Sequence, residues 1–155
     1  MECLMLSLTI VSVKQMTSLI FAKDALDPFL LKTAVIRRGF RAEVDGQTAD
    51  GTILWKEIRP AVLELLKGEK RPEYFKLVFL TAPEATEKLV EKSGFTDCPV
   101  TSFSLNFTYQ NESLSLTTGV AYEGFTLSKT AEKAWDNAVL RFLEKNAVPV
   151  RETEA

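Results

Sequence analysis

Val100–Tyr122 reads VTSFSLNFTYQNESLSLTTGVAY, and its alternation decides the fold class. Phe103, Leu105, Phe107 and Tyr109 occupy every second position, interleaved with Ser102, Ser104, Asn106 and Thr108. Successive side chains of a strand point to opposite faces, so a period of two gives one apolar and one polar face. Past the turn at QNES, Leu114, Leu116 and Val120 alternate with Ser115, Thr117 and Ala121. The two runs make an antiparallel hairpin with a core on one side. Six residues define the other side: Ser102, Ser104, Asn106, Thr108, Ser115 and Thr117. No charged residue stands between Val100 and Gln110. Solvated strands ordinarily mix in lysine and glutamate, which also guard edges against unwanted pairing. Serine and threonine can make a plain strand surface. The functional alternative is a face or edge that meets another subunit, a ligand or a peptide strand.

Outward from the hairpin, strands and helices succeed one another. Leu6–Ile10 reads as a buried first strand. Ser12 with Gln15 makes a capping box, opening a helix whose apolar stripe is Val13, Met16, Ile20 and Phe21. Phe29–Arg37 and Phe40–Val44 read as strands joined at Arg38-Gly39, with a turn at Asp45-Gly46. In ILWKEIRPAVLELLKG, the residues Leu54, Ile58, Ala61, Val62, Leu65 and Leu66 share a helical face. Pro60 kinks that helix or marks its start, and Gly68 closes it. Tyr74–Leu80, YFKLVFL, has the near-continuous apolar character of a strand buried on both faces. Thr81 and Glu84 form a second capping box, before a helix with Ala85, Leu89 and Val90 inward and Gly94 at its end. Ala131, Trp135, Ala138, Val139, Phe142 and Leu143 stripe a long amphipathic helix.

The expectation is a single α+β domain over residues 1–150, with six strands and four helices and a disordered tail at 151–155. The order suggests a duplicated β-α-β-β-α unit with pseudo-two-fold symmetry, its halves at 5–68 and 73–146. SVKQ and TAPE each follow a first strand, Asp27-Pro28 and Cys98-Pro99 each precede a hairpin, and AVLELLK and AVLRFLE lie in the final helices.

The blocks AEVDG, LWKEIRP, LLKGEKRPEYFKLVF and FTLSKTAEKAWDNAVLRFL resemble those of an uncharacterised family of small bacterial proteins, a domain of unknown function. That resemblance runs from about Asp27 to Leu143 and implies no activity or catalytic residues. A weaker one links the strand–helix–strands order and SLSLTTG to sliding-clamp domains. The last helix of each half departs from that pattern.

The chain has 155 residues, 46% hydrophobic and 26% charged, with ten phenylalanines. That suffices for a core without disulfide or metal. A net charge of −2 provides no global field toward nucleic acid or acidic lipid. Cys3 and Cys98 suit a reducing cytoplasm better than a disulfide. The apolar N-terminus lacks the basic region of a signal peptide, and Lys14 ends it too soon for a membrane span. Histidine is absent, which removes the commonest general base and metal ligand and every Ser-His-Asp arrangement. No phosphate-cradling glycine motif occurs. EVDGQTADG has its glycine one place late for a calcium loop, and two Asp-Gly turns explain it. No cofactor and no metal are expected.

Two basic stretches remain. Arg38-Gly39-Phe40 opens like an RNA-recognition strand, but Arg41, Ala42, Glu43 and Val44 follow without a second stacking aromatic, so a hairpin is the better reading. Lys67, Lys70, Arg71 and Lys76 surround Tyr74 as a weak basic patch diluted by Glu69 and Glu73. The functional expectation is a non-enzymatic binding or protein-interaction module. Its partner is an unidentified protein or a second copy, with neither nucleic acid nor membrane expected. The alternatives are a nucleic-acid-associated clamp-like domain and a histidine-free enzyme working with carboxylates.

Overall fold

A computed structural model describes residues 2–10, 21, 23, 25–37, 41–45, 51–66, 73–148 and 150–152. In chain order these form β1 (Glu2–Ile10), β2 (Leu30–Arg37), β3 (Arg41–Asp45), β4 (Ile53–Leu54), α1 (Trp55–Leu66), β5 (Tyr74–Leu80), α2 (Pro83–Ser93), β6 (Val100–Gln110), β7 (Ser113–Tyr122), α3 (Thr130–Lys145) and β8 (Val150–Glu152). All strand pairs are antiparallel, in the order β3-β2-β5-β6-β7-β1-β8, with β4 also on β2.

The hairpin at the centre forms as its alternation requires. Gln110 pairs with Ser113 across a two-residue turn, and Asn111 and Glu112 take φ of 52° and 61°. Both central residues of such a turn must be left-handed for its twist to match the strands. Phe103, Leu105, Phe107 and Tyr109 lie opposite Val120, Thr118, Leu116 and Leu114, and all eight are buried. Phe75, Leu77 and Phe79 of β5 extend the same layer, opposite Tyr109, Phe107 and Leu105. Leu8 and Ile10 of β1 close it beside Leu116 and Leu114. Full burial of each such side chain contributes about 1.5–3 kcal/mol.

The helices pack on this apolar face. Trp55 of α1 meets Phe79 edge-on with ring centroids 5.0 Å apart, and Trp135 of α3 lies 5.4 Å from Phe103. Phe21 reaches Phe107, Phe75 and Trp55, and α2 packs against α3. The Trp135 indole donates to the Ser104 carbonyl at 2.9 Å, pinning α3 to the centre of the sheet. Its stripe is as expected, with Ala131, Trp135, Val139 and Leu143 buried and Ala138 and Phe142 half-buried.

Several local expectations fail. Tyr74–Leu80 is buried on one face only, because no described helix covers the other, and Lys76 is exposed there. The second capping box does not form. Ala82 is the N-cap residue of α2, and the Thr81 hydroxyl turns inward to Thr86 Oγ1 (2.6 Å) and accepts from the Phe103 amide (3.1 Å). The inward residue of α2 is therefore Thr86 rather than Ala85, which is exposed. In α1 the helix starts at Trp55 and carries Pro60 inside it. Leu54 belongs to β4 and is 40% exposed, Ala61 is exposed, and Val62 is buried. Arg151 and Glu152 join β8 on β1, where a disordered tail is expected.

All six expected strands are present, together with the short β4 and β8; three helices are found among the described residues. The expected capped helix over Ser12–Ile20, the turns at Arg38-Gly39 and Gly46, and the Gly68 cap lie outside the described residues. Strand order does not show the duplication. β5 lies between β2 and β6, whereas its counterpart β1 lies between β7 and β8.

Candidate functional site

Because the helices take one face, the polar residues of β6 and β7 share the other, on which no described helix packs. Register puts Ser104 opposite Gly119, Asn106 opposite Thr117 and Thr108 opposite Ser115, with Ser102 beside Ala121. All six expected interaction residues thus lie on one surface. Ser102, Asn106, Thr108, Ser115 and Thr117 are half-buried, whereas Ser104 is only 6% exposed. Some of their polar groups are paired within the face. The Asn106 amide reaches Ser104 Oγ and the Thr117 carbonyl, both at 3.4 Å, and the Ser115 hydroxyl donates to the Thr108 carbonyl at 3.3 Å.

Two corrections follow. β6 lies between β5 and β7, and β7 between β6 and β1, so neither strand offers the free backbone edge considered for peptide pairing. Among the described strands the edges of the sheet are β3 and β4 on one side and β8 on the other. Ser104, expected on an open face, is buried.

The sheet also adds what the hairpin alone conceals. β5 brings Lys76 alongside Thr108, and β2 brings Val35 alongside Lys76. Arg37, opposite Tyr74, sets its guanidinium 5.1 Å from the centre of the tyrosine ring, a cation–π contact. Strands β2, β5, β6 and β7 contain three charged residues, Lys32, Arg37 and Lys76, all cationic. The expected basic patch is therefore divided. Tyr74 and Lys76 belong to the face of the sheet rather than to a loop, and Lys67, Lys70 and Arg71 lie outside the described residues. Toward one end of the face, Lys32, Thr52, Ser102 and Ser104 rim a hollow of about 210 Å³ floored by Val78 and Leu80.

On the helical side, Asp136 and Glu132 stand one turn apart on α3. Thr118 donates to Asp136 Oδ1 at 2.6 Å, and Glu132, almost wholly buried, pairs with Lys129 at 3.4 Å. Burial pushes the Asp136 carboxyl above its ordinary value; the Thr118 hydrogen bond opposes this and the nearby Glu132 charge adds to it. This is a close pair of carboxylates, and neither lines the hollow on the sheet face. A signal for them exists in the sequence, since Thr118 interrupts the apolar alternation of β7 where a core residue belongs. Among the described residues no group of acidic or cysteine side chains could hold a metal. No helix among them is long and apolar enough to cross a membrane.

Among the described residues, helices on one face of an antiparallel sheet and a largely polar set of side chains on the other define an α+β protein. The chain belongs to a family of unknown function, DUF5721, whose model matches residues 19–151. Neither a curated protein nor a solved structure matches it.

Proposed function

We propose that this protein is a non-enzymatic binding module that presents the polar face of its sheet to an acidic surface of a partner protein. The observation that carries the reading is the charge pattern of strands β2, β5, β6 and β7: hydroxyls and two amides across β6 and β7, cations on β2 and β5, and no carboxylate. Docking there costs little. A neutral hydroxyl that finds a partner loses little on leaving water, whereas an unpaired buried charge loses several kcal/mol. Lys32, Arg37 and Lys76 supply the complementarity that selects and orients an acidic partner.

The test compares tagged wild type with Thr108→Glu/Thr117→Glu in quantitative affinity capture from the cells that make the protein. A thermal melt confirms that the variant is folded. Both substituted side chains are half-buried and have a path to solvent. The expected result is a nuclease-resistant partner recovered by wild type and lost from the variant. Recovery of the same proteins by both, or of none, overturns the reading. A partner lost on nuclease treatment would transfer the face to nucleic acid.

A further inference from the structure

On the helical side, the segment from Glu123 to Lys129 joins β7 to α3 and holds two large apolar side chains in water. Phe125 is 70% exposed and Leu127 83%. This is not a loosely hung loop. The Glu123 amide donates to the Pro99 carbonyl at 2.9 Å, and the Thr126 hydroxyl to Asp97 Oδ2 at 2.8 Å. The Ser128 amide donates back to Thr126 Oγ1 at 3.0 Å. Thr126, between the two apolar residues, is tied down while they project. Isolated exposed apolar residues are ordinary on a protein surface; a pair held out by a braced backbone is an anchor in search of a pocket.

A pocket lies beside it. The α2 helix and the chain leaving it form an open groove of about 550 Å³, with Val90, Phe95 and Val100 as its apolar lining and Thr86, Glu87 and Glu91 along it. That size is within the range of pockets that seat side chains or small ligands. Gly94 and Thr96 line it too, and Asp97, which braces the projecting loop, comes next in the chain. Projection and recess are thus neighbours on one surface. The groove carries Glu87 and Glu91, while beyond the loop α3 presents the exposed Lys133, next to Lys129, which already pairs with Glu132. A two-fold interface must be self-complementary, and a surface holding both a projection and a recess meets that condition when each copy fills the other's groove.

We infer that the chain forms a two-fold dimer in which Phe125 and Leu127 of each copy occupy the α2 groove of the other. Lys133 then faces Glu87 and Glu91 across the rim. The dimer leaves the polar sheet face free, so the inference stands apart from the proposed binding role and doubles the number of partner-binding faces per particle.

Sedimentation equilibrium of the full chain tests it. Wild type is expected to dimerise, and Phe125→Asp/Leu127→Asp to weaken the dimer by more than about tenfold, the loss typical of a single anchor residue. Glu87→Lys/Glu91→Lys should also weaken it, and adding Lys133→Glu should restore part of the affinity, which a merely unfolded variant could not do. Thr108→Glu/Thr117→Glu should remain dimeric, separating this surface from the sheet face. A wild type monomeric at several hundred micromolar overturns the inference, as does a dimer indifferent to the loop and groove variants. So does a monomer that co-sediments with phosphatidylethanolamine–phosphatidylglycerol vesicles through Phe125 and Leu127, which would assign the loop to lipid.

Discussion

Replacing tryptophan by phenylalanine should cost very different amounts at the two tryptophans of this chain. Both are buried, Trp55 completely and Trp135 at 6% exposure, and both lose the same ring volume. The indole nitrogens differ. Trp135 Nε1 donates to the Ser104 carbonyl, whereas Trp55 Nε1 has no acceptor among the described residues. A typical hydrogen bond contributes about 1 kcal/mol net, and a buried polar group without a partner costs about 1–3 kcal/mol. Trp135→Phe therefore forfeits a bond, and Trp55→Phe removes a penalty, so the first should be the more destabilising by about 2–4 kcal/mol. In a domain of this size that gap is about 4–16 °C in Tm. Urea melts of the two variants read it directly, with Trp135→Ala as reference at about 3–5 kcal/mol of loss. Equal losses in the two phenylalanine variants would refute the assigned indole environments. A loss below about 1 kcal/mol for Trp135→Ala, the size of a surface change, would refute the placement of α3 on the sheet.

Three further outcomes are expected. Asp136→Asn should raise the melting temperature at pH 7, because the folded carboxyl has its pKa raised by burial and by Glu132; a group shifted upward is most favourable when protonated. The advantage of the variant should shrink as pH falls toward the ordinary carboxyl value of 3.8, and an advantage that grew on acidification would contradict the direction of the shift. Gly94→Ala should cost about 1–2 kcal/mol through backbone strain alone, since Gly94 sits at φ 76° with open space where a Cβ would go, and Gly94→Asn should cost less. EDTA should leave the melting curve unmoved, as no metal-ligand cluster occurs among the described residues; a clear drop would reveal a site built from carboxylates alone.

What was legible in the sequence follows how local each determinant is. The period of two in Phe103–Tyr109 and the stripe from Ala131 to Leu143 are written in neighbouring residues, and both elements form with the expected faces. The six polar residues come to one surface for the same reason. The role of Thr81 was not legible, because a threonine before a helix satisfies the capping pattern equally well when its hydroxyl turns to Thr86 and the Phe103 amide. Tyr74–Leu80 misled for a related reason. Val78 and Leu80 suggest burial on both sides, but what covers the second face depends on which strands flank it. Lys76 joined the polar face only through pairing with Thr108, a contact that no reading of one segment provides. Composition and spacing likewise could not show that Phe125 and Leu127 stand outside the core.

The position of β1 has a consequence for how the protein is made. Its residues Leu8 and Ile10 are core, yet their partners Leu116 and Leu114 are synthesised about a hundred residues later. At translation rates of about 5–20 residues per second, that apolar strand waits roughly 5–20 s for its place in the sheet. Until β7 appears, ECLMLSLTI has its native neighbours on neither side, since β8 comes later still. In a nascent chain with this order, β1 stays unpaired until β7 is made. Pairings so distant in sequence also make for slow closure once all strands exist. The strand that completes the sheet is therefore an unpaired apolar segment for most of synthesis, the kind of surface that invites aggregation.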